Sequence, residues 1–158
     1  MRKVVIAVLF AALPFAVLAK DERLGVGISA GDPTGLSVKY WADKNTAIDA
    51  AAEWSTSGSN RYYFHVDYLR HDYSVIKQTE LKAEMPVYYG VGAYVELKEN
   101  KTGNRNDDDI LAVRVPFGVS CLFTNSPFEV FAEIVPVLEL SPDTDLNLDA
   151  AVGGRFYF

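Results

Sequence analysis

The sequence has one cysteine, Cys121, in 158 residues, and it has no run of basic residues. A single cysteine excludes an intrachain disulfide framework and a zinc site made of several cysteines. A formal net charge of −6 without a basic run leaves no electrostatic footprint for nucleic-acid binding. What the sequence has in quantity is apolar, with 49% hydrophobic residues and nine Tyr, nine Phe and two Trp. This composition is that of a folded chain rather than a disordered one.

The N-terminus has the pattern of a secretory signal. Arg2 and Lys3 form a short positive start, and the apolar run Val4–Ala19 follows and ends in small residues. This order predicts a signal peptide at residues 1–19 and one mature domain at residues 20–158. The alternative is an N-terminal membrane anchor, but the run is shorter than the ~20 residues that a spanning helix needs. No later run is long and apolar enough for a transmembrane helix.

The rest of the chain alternates between apolar and other residues with a period of two, which is the pattern of β-strands. Turns rich in Gly, Pro, Asn and Asp separate the alternating segments. The predicted strands are Arg23–Ala30, Leu36–Trp41, Ala47–Trp54, Tyr62–Leu69, Val87–Leu97, Leu111–Cys121, Phe128–Glu139 and Leu146–Phe158. An even number of such strands, most near the ~9–11 residues that cross a bilayer, predicts an all-β fold. We therefore expect an eight-stranded antiparallel transmembrane up-and-down β-barrel.

Two connections are longer than a turn. Asp72–Glu84 has two interpretations that periodicity leaves open: an extension of the fourth strand beyond Asp72, or a short helix over Val75–Ala83. Lys98–Asp109 is predicted to be an extracellular loop, and its Asp107–Asp109 run is either a solvated acidic segment or part of a calcium site. One loop without a matching ligand set favours the solvated segment.

Periodicity does not say which face of the barrel is inside. A soluble lipocalin-like carrier has its apolar face inside, and an outer-membrane barrel has it toward lipid. The apolar face of the last four predicted strands carries no charge, and the opposite face is rich in glycine, which suits a narrow interior. Aromatic residues of the apolar face also fall near the two ends of the strands, as interface girdles do. These residues are Tyr40, Tyr68, Tyr89, Phe128, Phe156 and Phe158 near one end and Trp54 and Tyr62 near the other. We therefore predict a barrel in the outer membrane.

Parts of the sequence resemble known proteins. The ending with Phe156 and Phe158 on one face resembles the terminal strand of bacterial outer-membrane proteins, whose last aromatic residue is read by the barrel-assembly machinery. Gly31–Ser37 with Lys39–Trp41 resembles the first hairpin of an uncharacterised family of small eight-stranded bacterial outer-membrane β-barrel proteins. Arg114–Gly118 and Val130–Leu140 resemble the sixth and seventh strands of the same family, so the resemblance covers most of the mature chain. It implies the fold and an assembly signal at Phe156 and Phe158, and it implies no reaction.

The face opposite the apolar one carries charged residues that are predicted to form a charge network in the lumen. The residues assigned to it are Arg23, Lys39, Asp49, Glu53, His65, Asp67, Glu96, Arg114, Glu129, Glu133, Asp149 and Arg155. Buried charges are tolerated only when they are paired. Because the last three predicted strands are neighbours, Arg114 and Arg155 should lie among Glu129, Glu133 and Asp149. Acids outnumber bases, so some carboxyls are expected to be protonated, to lie at wet ends or to hold a cation.

Catalysis is weighed against this structural interpretation. His65 and Asp67 share one face and could do acid–base work, but a satisfied buried pair is the commoner arrangement. The main alternative function is an outer-membrane lipid A-modifying enzyme, a deacylase or acyltransferase. Such an enzyme needs a nucleophile, a histidine and a carboxylate within reach of lipid, and no His-x-Ser pair exists. We therefore expect no catalytic residues, no metal site and no cofactor.

The sequence also leads to predictions of the location, the partners and the role of the protein. The protein is expected in the cell outer membrane, in contact with outer-membrane lipid and lipopolysaccharide, and with the barrel-assembly machinery during insertion. It is expected to be a monomer and to bind no nucleic acid. Its predicted role is structural or in surface interaction, and a soluble periplasmic lipocalin-like binding barrel is a second alternative.

Overall fold

The computed structural model describes residues 23–31, 34–54, 61–77, 82–98 and 109–158. The predicted signal peptide and most of the predicted long loop, including Asp107 and Asp108, lie outside these residues. Within the described ranges, no helix is long and apolar enough to cross a membrane.

The described residues form ten β-strands. In chain order they are β1 (Leu24–Gly31), β2 (Thr34–Trp41), β3 (Thr46–Trp54), β4 (Arg61–Asp72), β5 (Ala83–Glu84), β6 (Val87–Lys98), β7 (Ile110–Arg114), β8 (Phe117–Phe123), β9 (Phe128–Ser141) and β10 (Asp145–Tyr157).

All pairings are antiparallel, and most join strands that follow one another in the chain. β1 pairs with β2, β2 with β3, β3 with β4 and β4 with β6. β7 and β8 both pair with β6 on one side and with β9 on the other. β9 pairs with β10, and β10 returns to pair with β1, so the pairings close into a ring. The predicted all-β, antiparallel up-and-down arrangement is confirmed.

The alternation of the sequence corresponds to the two faces of this ring. In β4, Tyr63, His65 and Asp67 are buried inside, whereas Phe64 and Val66 are exposed outside. Successive side chains on a strand point to opposite faces, so one strand supplies both surfaces. A closed sheet thus encloses one set of side chains and presents the other set to its surroundings.

The predicted count of eight strands differs from the ten of the described residues. The predicted strand Leu111–Cys121 is divided into β7 and β8 because Pro116 has no N–H to donate to a ladder. β5 is a two-residue strand that pairs with β8 only, and Met85 and Pro86 separate it from β6. Both interruptions therefore lie at prolines.

The connection Asp72–Glu84 matches neither interpretation made from the sequence in its described part. β4 ends at Asp72, and Tyr73–Val75 is a bend rather than a strand or a helix. The backbone amide and the hydroxyl of Ser74 both donate to the Asp72 carboxylate, at 2.8 and 2.6 Å. These bonds stabilise the bend.

The turn between β2 and β3 is held in a similar way. The amides of Asn45 and Thr46 donate to the carboxylate of Asp43 at 2.8 and 2.9 Å. An aspartate that accepts bonds from the following backbone is a frequent way of closing a turn. The bond from Asn45 contributes most to lowering the pKa of Asp43. The short turn fixes the register of β2 against β3.

Gly27 and Gly154 lie on neighbouring strands but differ in the space around them. A Cβ on Gly27 would overlap the carbonyl oxygen of Gly154, whereas a Cβ on Gly154 would be 3.6 Å from its nearest neighbour. We expect Gly27→Ala to lower the free energy of unfolding by about 1–3 kcal/mol, as overpacking does. Gly154→Ala should leave it unchanged or raise it by ~0.4–1 kcal/mol. Urea titration of both variants refolded in detergent would compare them, and equal midpoints would contradict the close approach of β1 and β10.

Candidate functional site

The interior of the ring is polar and charged, so it is the part of the molecule where chemistry could take place. Lys39, Glu129 and Arg155 are each at most 2% exposed. The other buried acidic, basic and histidine residues among those that the structure describes are Asp49, Glu53, His65, Asp67, His71, Glu96 and Arg114. Charged groups this deep need partners, because an unpaired buried charge is strongly destabilising.

One group of interior contacts is centred on Glu129, and we call it the Glu129 cluster. Lys39 Nζ donates to Glu129 Oε1 at 2.8 Å, and Arg155 Nη1 lies 3.5 Å from Glu129 Oε2. The hydroxyls of Ser120 and Tyr157 also donate to this carboxylate. Glu129, on β9, therefore holds two bases and two hydroxyls from three other strands, β2, β8 and β10.

Arg155 extends the Glu129 cluster across the ring to β2 and β3. Its Nη2 donates to Asp49 Oδ2 at 2.6 Å, and its Nε donates to Ser37 Oγ at 2.9 Å. Its guanidinium lies 3.9 Å from the centre of the Phe131 ring. The planar fork of arginine allows this use of several partners at once.

A second group of contacts is centred on Arg114, and we call it the Arg114 cluster. Arg114 lies 3.2 Å from Asp67 and 3.2 Å from Glu133, and its Nη1 lies 2.6 Å from His65 Nδ1. Because a guanidinium only donates hydrogen bonds, His65 Nδ1 is the acceptor in this contact. Glu53 joins the cluster 3.6 Å from His65 Nδ1 and accepts a 2.7 Å bond from the Ser29 hydroxyl.

The sequence-predicted residues are distributed over these contacts as follows. The structure places Arg155 beside Glu129 and Arg114 beside Glu133. Asp149 lines a small cavity with Arg114 and Glu133. Glu96 pairs with Arg61 at 3.3 Å, at the end of the ring where β4 begins.

Arg23 is the member of the predicted network that the structure places elsewhere. It precedes the first residue of β1, and its side chain is exposed. Its carbonyl accepts a bond from the Trp41 amide at the end of the ring. Alternation puts Arg23 on the polar face, but the strand begins one residue later, so the side chain reaches solvent at the rim.

Several interior residues were not singled out from the sequence. The Tyr88 hydroxyl donates to Glu133 at 2.8 Å, and Tyr157 donates to Glu129. His71 is 1% exposed, with its ring between those of Trp41 and Tyr88. The alternation places Tyr88 and Tyr157 on the interior face, so parity was the signal that could have found them.

One cavity between the interior charges of the described residues is small. The cavity between Glu53, Arg114, Glu133 and Asp149 measures about 20 Å³, which is room for about one water molecule. It cannot hold an organic substrate. Among the described residues, no group of three or more His, Cys, Asp or Glu side chains is arranged to hold a metal ion.

The outer face of the ring is apolar. Ile28, Val66 and Ile134 are each more than half exposed. The predicted girdle residues Trp54, Tyr62, Tyr68, Tyr89, Phe128, Phe156 and Phe158 are also exposed, and Tyr40 is half-buried. Phe156 touches the rings of both Phe128 and Phe158 edge-on. The predicted assembly signal therefore lies on the outside, at the end where β10 finishes.

The fold of the chain is similar to that of a known β-barrel domain. It is similar to the crystal structure of the N-terminal β-barrel domain of OprF from Pseudomonas aeruginosa, with a TM-score of 0.61 and 13% sequence identity. The similarity covers 85% of this chain and 95% of that domain. At this identity the likeness shows the fold alone. No protein-family model and no curated protein sequence matches the chain, so the family resemblance of Gly31–Trp41 stays a prediction.

Proposed function

We propose that the protein is a small integral β-barrel protein of the bacterial outer membrane, with a non-catalytic, structural or surface-interaction role. The observation that carries this proposal is the inverted distribution of side chains. Charged residues such as Lys39 and Glu129 lie inside, and large apolar residues such as Ile28 and Val66 lie outside. Lipid on the outside makes this distribution favourable, whereas water would not.

The proposed barrel has eight strand positions around its circumference. β5 and β6 together occupy one strand position because both pair with β8. The Ser120 amide of β8 also donates to the carbonyl of Pro86, which lies between β5 and β6. β7 and β8 together occupy another strand position because both lie between β6 and β9. An eight-stranded interior is just wide enough for side chains to fill. The two charge clusters fill it here, which argues against a diffusion pore.

The role is proposed to be non-catalytic because of where the histidines lie. His65 and His71 are 7% and 1% exposed, and both belong to the interior. A lipid A deacylase or acyltransferase would need its base on the side that faces lipid. A soluble lipocalin-like carrier would need an apolar cavity inside the ring, whereas Arg114, Glu133 and Asp149 line the interior cavity described above. Neither alternative is supported by a specific observation.

The proposed partners follow from the outer face. Its apolar residues suit the acyl chains of outer-membrane lipid and lipopolysaccharide, and the aromatic residues near both ends suit the two interfaces. Phe156 and Phe158 are proposed as the signal for the barrel-assembly machinery, because both are exposed at the end of the last strand. The closed ring leaves a monomer as the simplest assembly.

Cell fractionation tests the proposed location. We expect carbonate-washed outer membranes to retain the protein, and its band to shift when the sample is boiled before electrophoresis. Recovery in the soluble periplasmic fraction would exclude the proposal. The variant Val66→Arg sharpens the test, since Val66 lies on the outward face in the middle of β4 and is 56% exposed.

A charge at mid-membrane on the lipid face costs about 2–4 kcal/mol. Val66→Arg should therefore reduce the inserted, heat-shifted fraction, whereas a similar change at an exposed position of a soluble protein would be nearly neutral. The matched control Lys77→Ala changes an exposed residue outside the strands, and it should leave insertion unchanged.

A further inference from the structure

The hairpin of β9 and β10 extends beyond the neighbouring hairpin of β1 and β2. β10 pairs with β9 from Asp145 onward, but its pairing with β1 starts only at Ala151. β1 cannot follow further, because the chain turns back after Gly31, where the Thr34 hydroxyl donates to the Gly31 carbonyl at 2.8 Å. In the described part of the chain, the first six residues of β10 therefore pair with a strand on one side only.

The hydrogen bonds at the C-terminal end of β10 show which of its residues direct their backbone N–H and C=O groups toward the side of β1. The Phe158 amide donates to a carbonyl of β1, whereas the Tyr157 amide donates toward the β9 side. The backbone N–H and C=O groups of successive residues in a strand point to opposite sides, and the register of β10 with β9 has no shift. The N–H and C=O groups of Leu146 and Leu148 therefore point away from β9, toward the open side. The Leu146 amide is occupied by the side chain of Asp145, at 2.9 Å. Leu148 is thus the centre of the open edge.

The two faces of this open edge have opposite chemistry. Leu146 and Leu148 point outward and are each 69% exposed, more than the other large apolar side chains that the structure describes. Asp145, Asn147 and Asp149 occupy the inward face by parity. Glu139 of β9 lies directly opposite Asp145 and adds another carboxylate to that face.

We propose that the open edge of β10, centred on Leu148, binds an extended segment of a partner polypeptide in which apolar and basic residues alternate. An exposed strand edge is a template for an added strand, whose backbone supplies the missing hydrogen bonds. The apolar residues of the segment would continue the surface of Leu146 and Leu148, and its basic residues would face Asp145, Asp149 and Glu139. A second copy of this chain fits less well, because pairing two such edges would bring the same carboxylates together.

The first test measures peptide binding to the full protein, refolded in neutral detergent. The probe is a fluorescent nine-residue peptide of alternating valine and lysine, read by anisotropy. Leu148→Pro removes the amide that faces the open side and leaves the groups that face β9 in place, while Leu148→Val keeps the amide and an apolar side chain. We expect Leu148→Pro to weaken binding at least tenfold and Leu148→Val to change it less than threefold. Equal binding by the two variants would overturn the proposal.

The second test needs no variant, so it decides even if Leu148→Pro does not fold. The peptide should slow hydrogen exchange of the Leu148 amide at least tenfold and leave the Asn147 amide, which faces β9, unchanged. A peptide of alternating valine and glutamate should have no such effect. Unchanged exchange at Leu148 with the lysine peptide, equal effects of both peptides, or protection of Leu148 by self-association without peptide would each exclude the proposal.

Discussion

Glu129→Ala is expected to destabilise the folded protein by about 3–5 kcal/mol, the usual loss when one member of a buried ion pair is removed. Lys39 has 0% exposure, and Glu129 is its 2.8 Å partner. Arg155 and the hydroxyls of Ser120 and Tyr157 would lose the same acceptor. The midpoint of urea unfolding in detergent should therefore fall well below that of the unmodified protein.

Glu139→Ala is the matched control for Glu129→Ala. Glu139 is on the same strand and inward face, but it lies at the rim and contacts Asn147 in an exposed hydrogen bond. We expect a loss of about 0–1 kcal/mol, as is typical of exposed polar pairs. If Glu129→Ala does not refold, Glu129→Gln provides the comparison, and adding Lys39→Met to it should recover part of the loss. Equal midpoints for the Glu129 and Glu139 variants would mean that the interior is hydrated.

Arg114→Ala is the second variant with a large expected effect. Arg114 holds Asp67 and Glu133 at 3.2 Å each and donates to His65, and it is 4% exposed. Its removal leaves Asp67 and Glu133 without their base, at a cost on the order of 3–5 kcal/mol for a dry site. The expected result is a large fall of the urea midpoint, again in refolded protein.

Arg61→Ala provides the comparison for Arg114→Ala. The Arg61 side chain is 43% exposed and pairs with Glu96 at 3.3 Å. Arg61 is the exposed member of this pair and Glu96 is the buried one, so we expect a loss of about 1–3 kcal/mol, smaller than that of Arg114→Ala. A fall of the midpoint with Arg61→Ala as large as that with Arg114→Ala would contradict the burial of the Arg114 cluster.

The ends of the strands were harder to predict than their faces. Alternation is a local property, because each residue of a strand points away from its neighbour. The interruption at Pro116 and the bend after Asp72 depend instead on which backbone groups find a partner in the next strand. The same applies to Arg23, whose exposure follows from the start of β1 at Leu24. These features depend on hydrogen-bond pairing between strands and not on the alternation of apolar and polar residues.

The sequence by itself determined the strand character of the chain, the two faces of the strands and the identity of the residues on each face. The tertiary structure decided which charges meet. Neighbouring strands suggest Arg114 near Glu133, but the contacts of Lys39 with Glu129 and of Arg155 with Asp49 join residues 90 and 106 positions apart. Closing the ring brings opposite walls within reach of long side chains. The open edge at Leu148 likewise exists only because two hairpins of different length became neighbours when the ring closed.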